Sequence, residues 1–409
     1  MQTNLADPYR NTPEGEAAER ILRNCVHCGF CLATCPSYLV LGNELDSPRG
    51  RIYLLKQLFE GATPTAKTQQ HLDTCLTCRN CETTCPSGVE YGKLIDIGRH
   101  IVEKKVGRSA CDSATRTALK KGLGTPLLFN TALKLGQSVR SLMPPFLKAG
   151  IPPSEAAGNW PPPRHARRML VLQGCVQPAL KPNINSATAR VLDRVGISLM
   201  TADAAGCCGA LAHHLNDTDA GLAAARRNID AWISHLDAGV EAIVMTASGC
   251  GVMVKDYGWL LRDDPVYAEK AARISAATRD ISEVLATERD ALKQLASGSV
   301  PKRIAYHPPC TLQHGQKLGG SVEALLADAG FELTAVAEKH LCCGSAGTYS
   351  ILQPKIASQL KARKLGNLQA GSPEMIVTAN IGCLTHLQSG TETPVKHWVE
   401  LLDEVLAAS

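Results

Sequence analysis

Several signals are missing from this 409-residue sequence, and each absence closes a route. No stretch approaches the roughly 18 uninterrupted apolar residues of a membrane-spanning helix. The opening MQTNLADPYRNTPEGEAAER has no basic segment followed by an apolar run, so no secretory leader is expected. An excess of one charge is missing too. The formal net charge is only +5, which at this length makes no case for a nucleic-acid partner. Neither a G-x-G-x-x-G after a strand nor a P-loop occurs, so the chain is expected to carry no nucleotide or flavin site of its own. What remains, with 44% hydrophobic residues, is a soluble globular protein of two or three domains.

Against these absences stands an excess of cysteine, seventeen in all. The odd count argues against complete disulfide pairing, and disulfides are rare in a reducing compartment, so the density points to metal or to catalytic thiols. Eight cysteines fall in two copies of one pattern, CVHCGFCLATCP (25–36) and CLTCRNCETTCP (75–86), each C-x2-C-x2-C-x3-C-P. Three thiolates so spaced reach three corners of one cubane, while the fourth reaches the neighbouring one. The expected ligands are Cys25, Cys28, Cys31 and Cys85 for one 4Fe-4S cluster and Cys75, Cys78, Cys81 and Cys35 for the other. Pro36 and Pro86 end the loops by fixing φ and removing a donor. Zinc is the competing occupant. Zinc ribbons, however, bring together two separate C-x2-C knuckles, whereas here four thiols share one short loop.

Between the runs, DSPRGRIYLLKQLFEG (46–61) predicts a helix with Ser47 as N-cap, Pro48 at the first position and Ile52, Leu55, Leu58 and Phe59 on one face. YGKLIDIGRHIVEKK after the second run also predicts a helix. A helical ferredoxin-like domain over residues 1–110, with no substrate pocket visible in the sequence, reads as an electron relay.

Residues 111–166 read as a basic segment and a stiff linker. From Lys104 to Lys148 nine Lys or Arg stand against a single acid, Asp112, with Leu133, Leu135, Val139 and Leu142 loosely amphipathic among them. Such a stretch suits an acidic partner or an anionic membrane surface; a solvated connector is the simpler reading. Seven prolines follow between 144 and 163. Cys111, alone in this segment, reads as a buried or idle thiol.

The other eight cysteines repeat. Cys175, Cys207 and Cys208 recur as Cys310, Cys342 and Cys343, displaced by 135 positions, and Cys250 recurs as Cys383 at 133. Apolar runs such as MLVLQGC and MIVTANIGC precede them and predict buried parallel strands. NSATARVLDRVG (185–196) and SVEALLADAG (321–330) predict helices between. Each repeat, 167–295 and 300–409, is therefore expected to be an α/β unit whose cysteines converge beyond the carboxyl ends of strands. The convergent thiols are a candidate further iron-sulfur, zinc or redox site, or are small buried side chains. Vicinal disulfides at Cys207-Cys208 and Cys342-Cys343 would strain the backbone, which favours metal. His307, His314 and His386 lie near these cysteines and are candidate ligands, with an ordinary hydrogen-bonding role the simpler reading.

Taken together, a two-run helical ferredoxin with SPRGRI between the runs, followed by two CCG units, resembles a family of iron-sulfur subunits. Its members include glycolate oxidase (glycolate dehydrogenase), anaerobic glycerol-3-phosphate dehydrogenase and heterodisulfide reductase subunits. The stretches LCCGSAGTYS and PEMIVTANIGCLTHL are most similar to the glycolate oxidase type. The resemblance implies an electron-transfer subunit of an oxidoreductase complex, with glycolate oxidised to glyoxylate on partner FAD subunits and electrons passed toward quinone. It also implies peripheral association with the cytoplasmic face of the inner membrane. It assigns no catalytic residue to this chain. Lactate or glycerol-phosphate complexes, or a thiol/disulfide reductase built on the repeats, are the alternatives. One departure stands out: the fuller pattern ends each unit with C-x-x-C, and here Met253 and His386 take the last position.

Overall fold

The computed structural model describes residues 1–144, 151–296 and 302–408. Six helices precede the basic segment: α1 (Pro13–Asn24), α2 (Pro36–Leu41), α3 (Pro48–Phe59), α4 (Ala66–Asp73), α5 (Asn80–Thr83) and α6 (Tyr91–Val106). α3 begins as the sequence predicts, with Ser47 Oγ accepting from the Gly50 N–H at 3.0 Å and Pro48 at the first position. Ile52, Leu55, Leu58 and Phe59 are all buried in one core with residues of α1 and α6. Each such side chain contributes about 1.5–3 kcal/mol, enough to hold two short ligand loops in place. The helices approach closely because Gly98 has no side chain; a Cβ there would stand 2.2 Å from Leu55 Cδ2.

The basic segment folds as two helices, α7 (Ala110–Gly124) and α8 (Pro126–Ser138), and is not a free connector. Its charges explain the docking. Arg108 meets Asp73 at 2.5 Å and Glu103 at 2.7 Å, Arg116 meets Asp73 at 3.6 Å, and Lys120 reaches Asp217 of the following domain at 2.6 Å. Cys111 is exposed. Of the segment's residues, Lys148 and the linker proline Pro145 lie outside the described residues.

Two four-stranded parallel sheets follow. One has the order β2-β1-β3-β4, built from β1 (Arg167–Val171), β2 (Ile197–Met200), β3 (Ile243–Met245) and β4 (Thr278–Asp280). The other has the order β6-β5-β7-β8, built from β5 (Arg303–His307), β6 (Glu332–Leu333), β7 (Met375–Thr378) and β8 (Val395–His397). Strand order and connection match, so the cysteine repeat is a repeat of architecture. The expected helices are Asn183–Arg194 and Ser321–Asp328. The two units share one core that runs from Met169 to Leu406. Across it Arg190 meets Asp403 at 2.7 Å, and His397 Nε2 lies 2.9 Å from the Thr246 carbonyl. The molecule is thus α/β with a helical ferredoxin-like domain in front. No helix among the described residues is long and apolar enough to cross a membrane.

Candidate metal centres

The two ligand loops are the same backbone written twice. His27 and Gly29 in the first, and Thr77 and Arg79 in the second, all have positive φ, between 50° and 87°. The left-handed turns fold three cysteines of each run around one point, and they cost energy in non-glycine residues, so surrounding contacts must enforce them. Arg79 is held by Asp256 at 2.5 Å. Gly29, at φ 87°, holds a backbone conformation that side chains rarely adopt, and a Cβ there would also displace Arg49 Nη1, 2.9 Å away.

Around the first loop, Cys25, Cys28, Cys31 and Cys85 line one small cavity, which Cys81 also touches. Cys25 feels the charge of Cys85, fifty positions past its own run's last cysteine. Cys35, Cys75, Cys78 and Cys81 line a second cavity. Burial pushes the Cys31 thiol up to about 11 and raises Cys78 and Cys81 well above the ordinary thiol range. Such thiols are ligands only if a metal displaces their protons. Four sulfurs and no carboxylate suit soft or borderline iron and zinc, and exclude magnesium or calcium. Thr77 N–H and Tyr91 O–H point at Cys75 Sγ, at 3.4 and 3.7 Å, the type of contact that tunes a cluster's potential.

SPRGRI connects both cavities. Ser47 caps α3, and Gly50 passes so close to the Glu44 carbonyl that a Cβ would meet its oxygen at 2.1 Å. Arg49 is held by Glu44 at 2.7 Å and reaches toward the His27 carbonyl in the first loop. Arg51 is fully buried, donating to the His71 carbonyl at 2.6 Å, Thr74 Oγ1 at 2.8 Å and Ser37 Oγ at 2.9 Å, within range of the charge of Cys75 and Cys35. The sequence marks this motif as a helix start; its two arginines acquire their roles only in three dimensions.

In the repeats, the cysteines follow the carboxyl ends of strands. Cys175 follows β1, Cys207 and Cys208 follow β2, and Cys250 follows β3; Cys310, Cys342, Cys343 and Cys383 follow β5, β6 and β7 in the same way. The structure brings each quartet together. Hydrogen bonds from Cys175 and Cys208 hold the Cys207 thiol far below its ordinary value, while burial and those same bonds raise its two partners. In the second unit Cys310 Sγ and Cys342 Sγ are 3.8 Å apart, and Cys343 bonds both Cys342 and Cys383. Gly209 and Gly344, at positive φ of 89° and 92°, turn the backbone just after each vicinal pair. His314 is spent on Thr83 at 2.8 Å and the His340 carbonyl at 3.0 Å. Met253 is buried in the first repeat's core.

A cavity of about 1000 Å³ joins these centres. It is lined by the first quartet, by Cys310, Cys342 and Cys383 of the second, and by Cys75–Thr77 of the second ligand loop. Cys78 feels the charge of Cys310, so the second loop and the second quartet are neighbours. The seam is fixed by Tyr349 O–H on the Thr74 carbonyl at 2.9 Å and by Asn80 Nδ2 on the His340 carbonyl at 3.1 Å. Asp96 on α6 faces His213 at 3.6 Å and His214 at 3.7 Å across the same seam. No sequence pattern announces this pair, which exists only once the domains dock.

Comparison with known proteins agrees with this layout. Residues 21–89 match the family described as a 4Fe-4S dicluster domain, and residues 169–255 and 304–388 each match the cysteine-rich domain. The glycolate oxidase iron-sulfur subunit of Escherichia coli strain K12 is 53% identical over 407 residues, covering 99% of both chains. The chain belongs to the family of glycolate oxidase iron-sulfur subunits. Within the family's reach, a Bacillus subtilis strain 168 protein named "Probable glycolate oxidase iron-sulfur subunit" is 31% identical, covering 91% of this chain and 89% of its own. A Bacillus licheniformis protein named Lactate utilization protein A is 28% identical over 218 residues, 52% of this chain and 87% of its own.

Proposed function

We propose that this chain is the electron-relay subunit of a multi-subunit glycolate oxidase (dehydrogenase) complex. Glycolate is oxidised to glyoxylate on partner FAD subunits, and electrons leave one at a time through two 4Fe-4S clusters toward a quinone-type acceptor. The observation that carries this reading is the crossed pair of thiol-lined cavities, each fed by three cysteines of one run and the fourth of the other. Cys25, Cys28, Cys31 and Cys85 hold one cluster, and Cys75, Cys78, Cys81 and Cys35 the other. The family relationship supports the upstream substrate, since the Escherichia coli relative is named for glycolate. The first cavity's rim, with Val26 67% and Phe30 61% exposed, suits docking of the flavin partner. The second cavity faces the repeats and passes electrons inward.

The domain division at 1–110, 111–166, 167–295 and 300–409 belongs to the same proposal. So does peripheral attachment to the cytoplasmic face of the inner membrane, for which Leu127, Leu128, Leu135 and Leu142, exposed on and after α8, supply an apolar face beside Lys134. A second reading is favoured by the large cavity between the cysteine quartets: a thiol or disulfide substrate reduced there with electrons from the ferredoxin-like domain.

Iron and acid-labile sulfide on anaerobically purified protein, with EPR of the reduced sample, test the wire. About eight irons in two coupled 4Fe-4S signals are expected. Full-rate quinone reduction by the flavin partners without this chain would sink the relay. Substituting Cys207 separates the two readings, because reductase turnover collapses with it while both ferredoxin signals persist.

A further inference from the structure

His307 is a buried imidazole with nothing to bond. It ends β5, is 1% exposed, and among the described residues neither Nδ1 nor Nε2 has a hydrogen-bond partner. Buried polar groups in folded proteins are almost always satisfied, and each exception calls for an explanation. What stands beside the ring is sulfur: a ring nitrogen, Cys343 Sγ and Cys383 Sγ lie within 4.8 Å of one another, all three residues buried.

The repeat supplies a control. At the displacement of 135 that relates Cys310 to Cys175, His307 corresponds to Leu172, which is 3% exposed and packs in the first unit's core. The strand end therefore accepts an apolar side chain, and packing does not demand the imidazole. The second quartet is also split in direction. Cys310 and Cys342 pack in one cluster with Cys78 of the ferredoxin-like domain, whereas Cys343, though it also bonds Cys342, packs with Cys383, whose sulfur accepts from Asn380 Nδ2 at 3.6 Å. An amide donating to a ligand sulfur in this way is the usual outer support of a metal site.

We propose that the second repeat holds a mononuclear divalent ion of the zinc class on His307, Cys343 and Cys383, a site the first repeat does not share. One nitrogen and two sulfurs are a borderline-soft donor set that suits zinc and disfavours magnesium or calcium. Around a tetrahedral ion with bonds of about 2.0–2.3 Å the donor atoms stand under roughly 4 Å apart, so the observed cluster needs only a small contraction. Three protein ligands leave a fourth position, and of the three only Cys383 borders the large cavity. The proposal rests on the reading of the repeat cysteines as metal ligands and is independent of the two-cluster wire.

The test uses the full-length chain, purified anaerobically, with zinc and iron measured per chain and with Co2+ as a spectroscopic probe. Wild type is expected to carry one zinc equivalent beside the cluster iron, and Co2+ in its place gives a thiolate-to-metal charge-transfer band. His307→Leu, which installs the first repeat's residue, loses that equivalent or binds Co2+ at least about tenfold more weakly. His307→Cys keeps the ion and strengthens the band. Unchanged cluster iron and EPR in both variants report that the fold is intact. The proposal is overturned if His307→Leu retains the ion with the same Co2+ spectrum, or if wild type carries no ion beyond cluster iron. It is equally overturned if the extra metal is iron with sulfide that is indifferent to His307. Missing ferredoxin iron alongside a His307-dependent ion would defeat the wire and leave this site standing.

Discussion

Arg51 shows how one side chain serves both fold and chemistry. Its guanidinium is buried beside Asp46 at 3.8 Å and ties the start of α3 to the end of α4 through Ser37, Thr74 and the His71 carbonyl. The same positive charge lies near Cys35 and Cys75. A buried cation favours the reduced, more negative state of whatever these thiolates hold. Arg51→Met should lower the midpoint potential of the second cluster by roughly 60 mV or more, the one-electron equivalent of a tenfold shift. It should also destabilise the domain, by about 1–3 kcal/mol, because the His71 carbonyl, Ser37 and Thr74 lose a buried donor while Asp46 keeps His71 and Thr74. A redox titration followed by EPR decides the first point: an unmoved second potential would leave Arg51 with a purely structural role. The grouping of eight cysteines into two runs could be read from spacing because each run is local, and the structure gathers them around two cavities. Arg51 could not, since Ser37, His71 and Thr74 come together only after folding. His307 was visible as a histidine beside a cysteine, but its isolation from every hydrogen-bond partner was not.

At the scale of elements, the inner strands β1, β3, β5 and β7 were legible as apolar runs, because strands covered on both faces carry uninterrupted hydrophobics. The outer strands were not. β6 is two residues long, Glu332–Leu333, and β4 and β8 read Thr-Arg-Asp and Val-Lys-His, alternating buried and more exposed positions at the sheet edge. The basic segment was legible as amphipathic but not as docked, because its pairing with Asp73 and Asp217 is long-range. Docking leaves Leu127 77%, Leu135 68% and Leu142 86% exposed in a row on and after α8. An in-plane helix on anionic lipid accounts for leucines and lysine together. The chain should therefore cosediment with phosphatidylglycerol-containing vesicles, less so as salt is raised. With burial of a leucine contributing about 1.5 kcal/mol or more, replacing Leu127, Leu128 and Leu135 by Ser should weaken binding well over tenfold. Equal sedimentation of the triple variant would remove α8 from any membrane role.

At the scale of the whole molecule, the ferredoxin-like domain and the repeats are joined by contacts between residues as far apart as 275 and 177 positions, which no local pattern can announce. Much of that seam is electrostatic, and Asp96 with His213 and His214 gives it a pH dependence. Burial pulls His213 down, but the facing Asp96 carboxylate more than offsets this and leaves its value raised above 6.5. Burial pushes Asp96 up, and the two histidines outweigh it, so its value falls well below 3.8. The histidine's contribution is therefore complete below 6.5 and fades as pH rises through the raised folded value. The aspartate's is complete above 3.8 and fades only as pH falls through its lowered one. Docking is strongest between these limits and weakens first on the alkaline side. Thermal unfolding of wild type and His213→Gln should differ most near pH 5.5 and converge as pH climbs past neutrality. A difference that stays constant from pH 5.5 to 9 would mean that His213 acts by packing and not by charge.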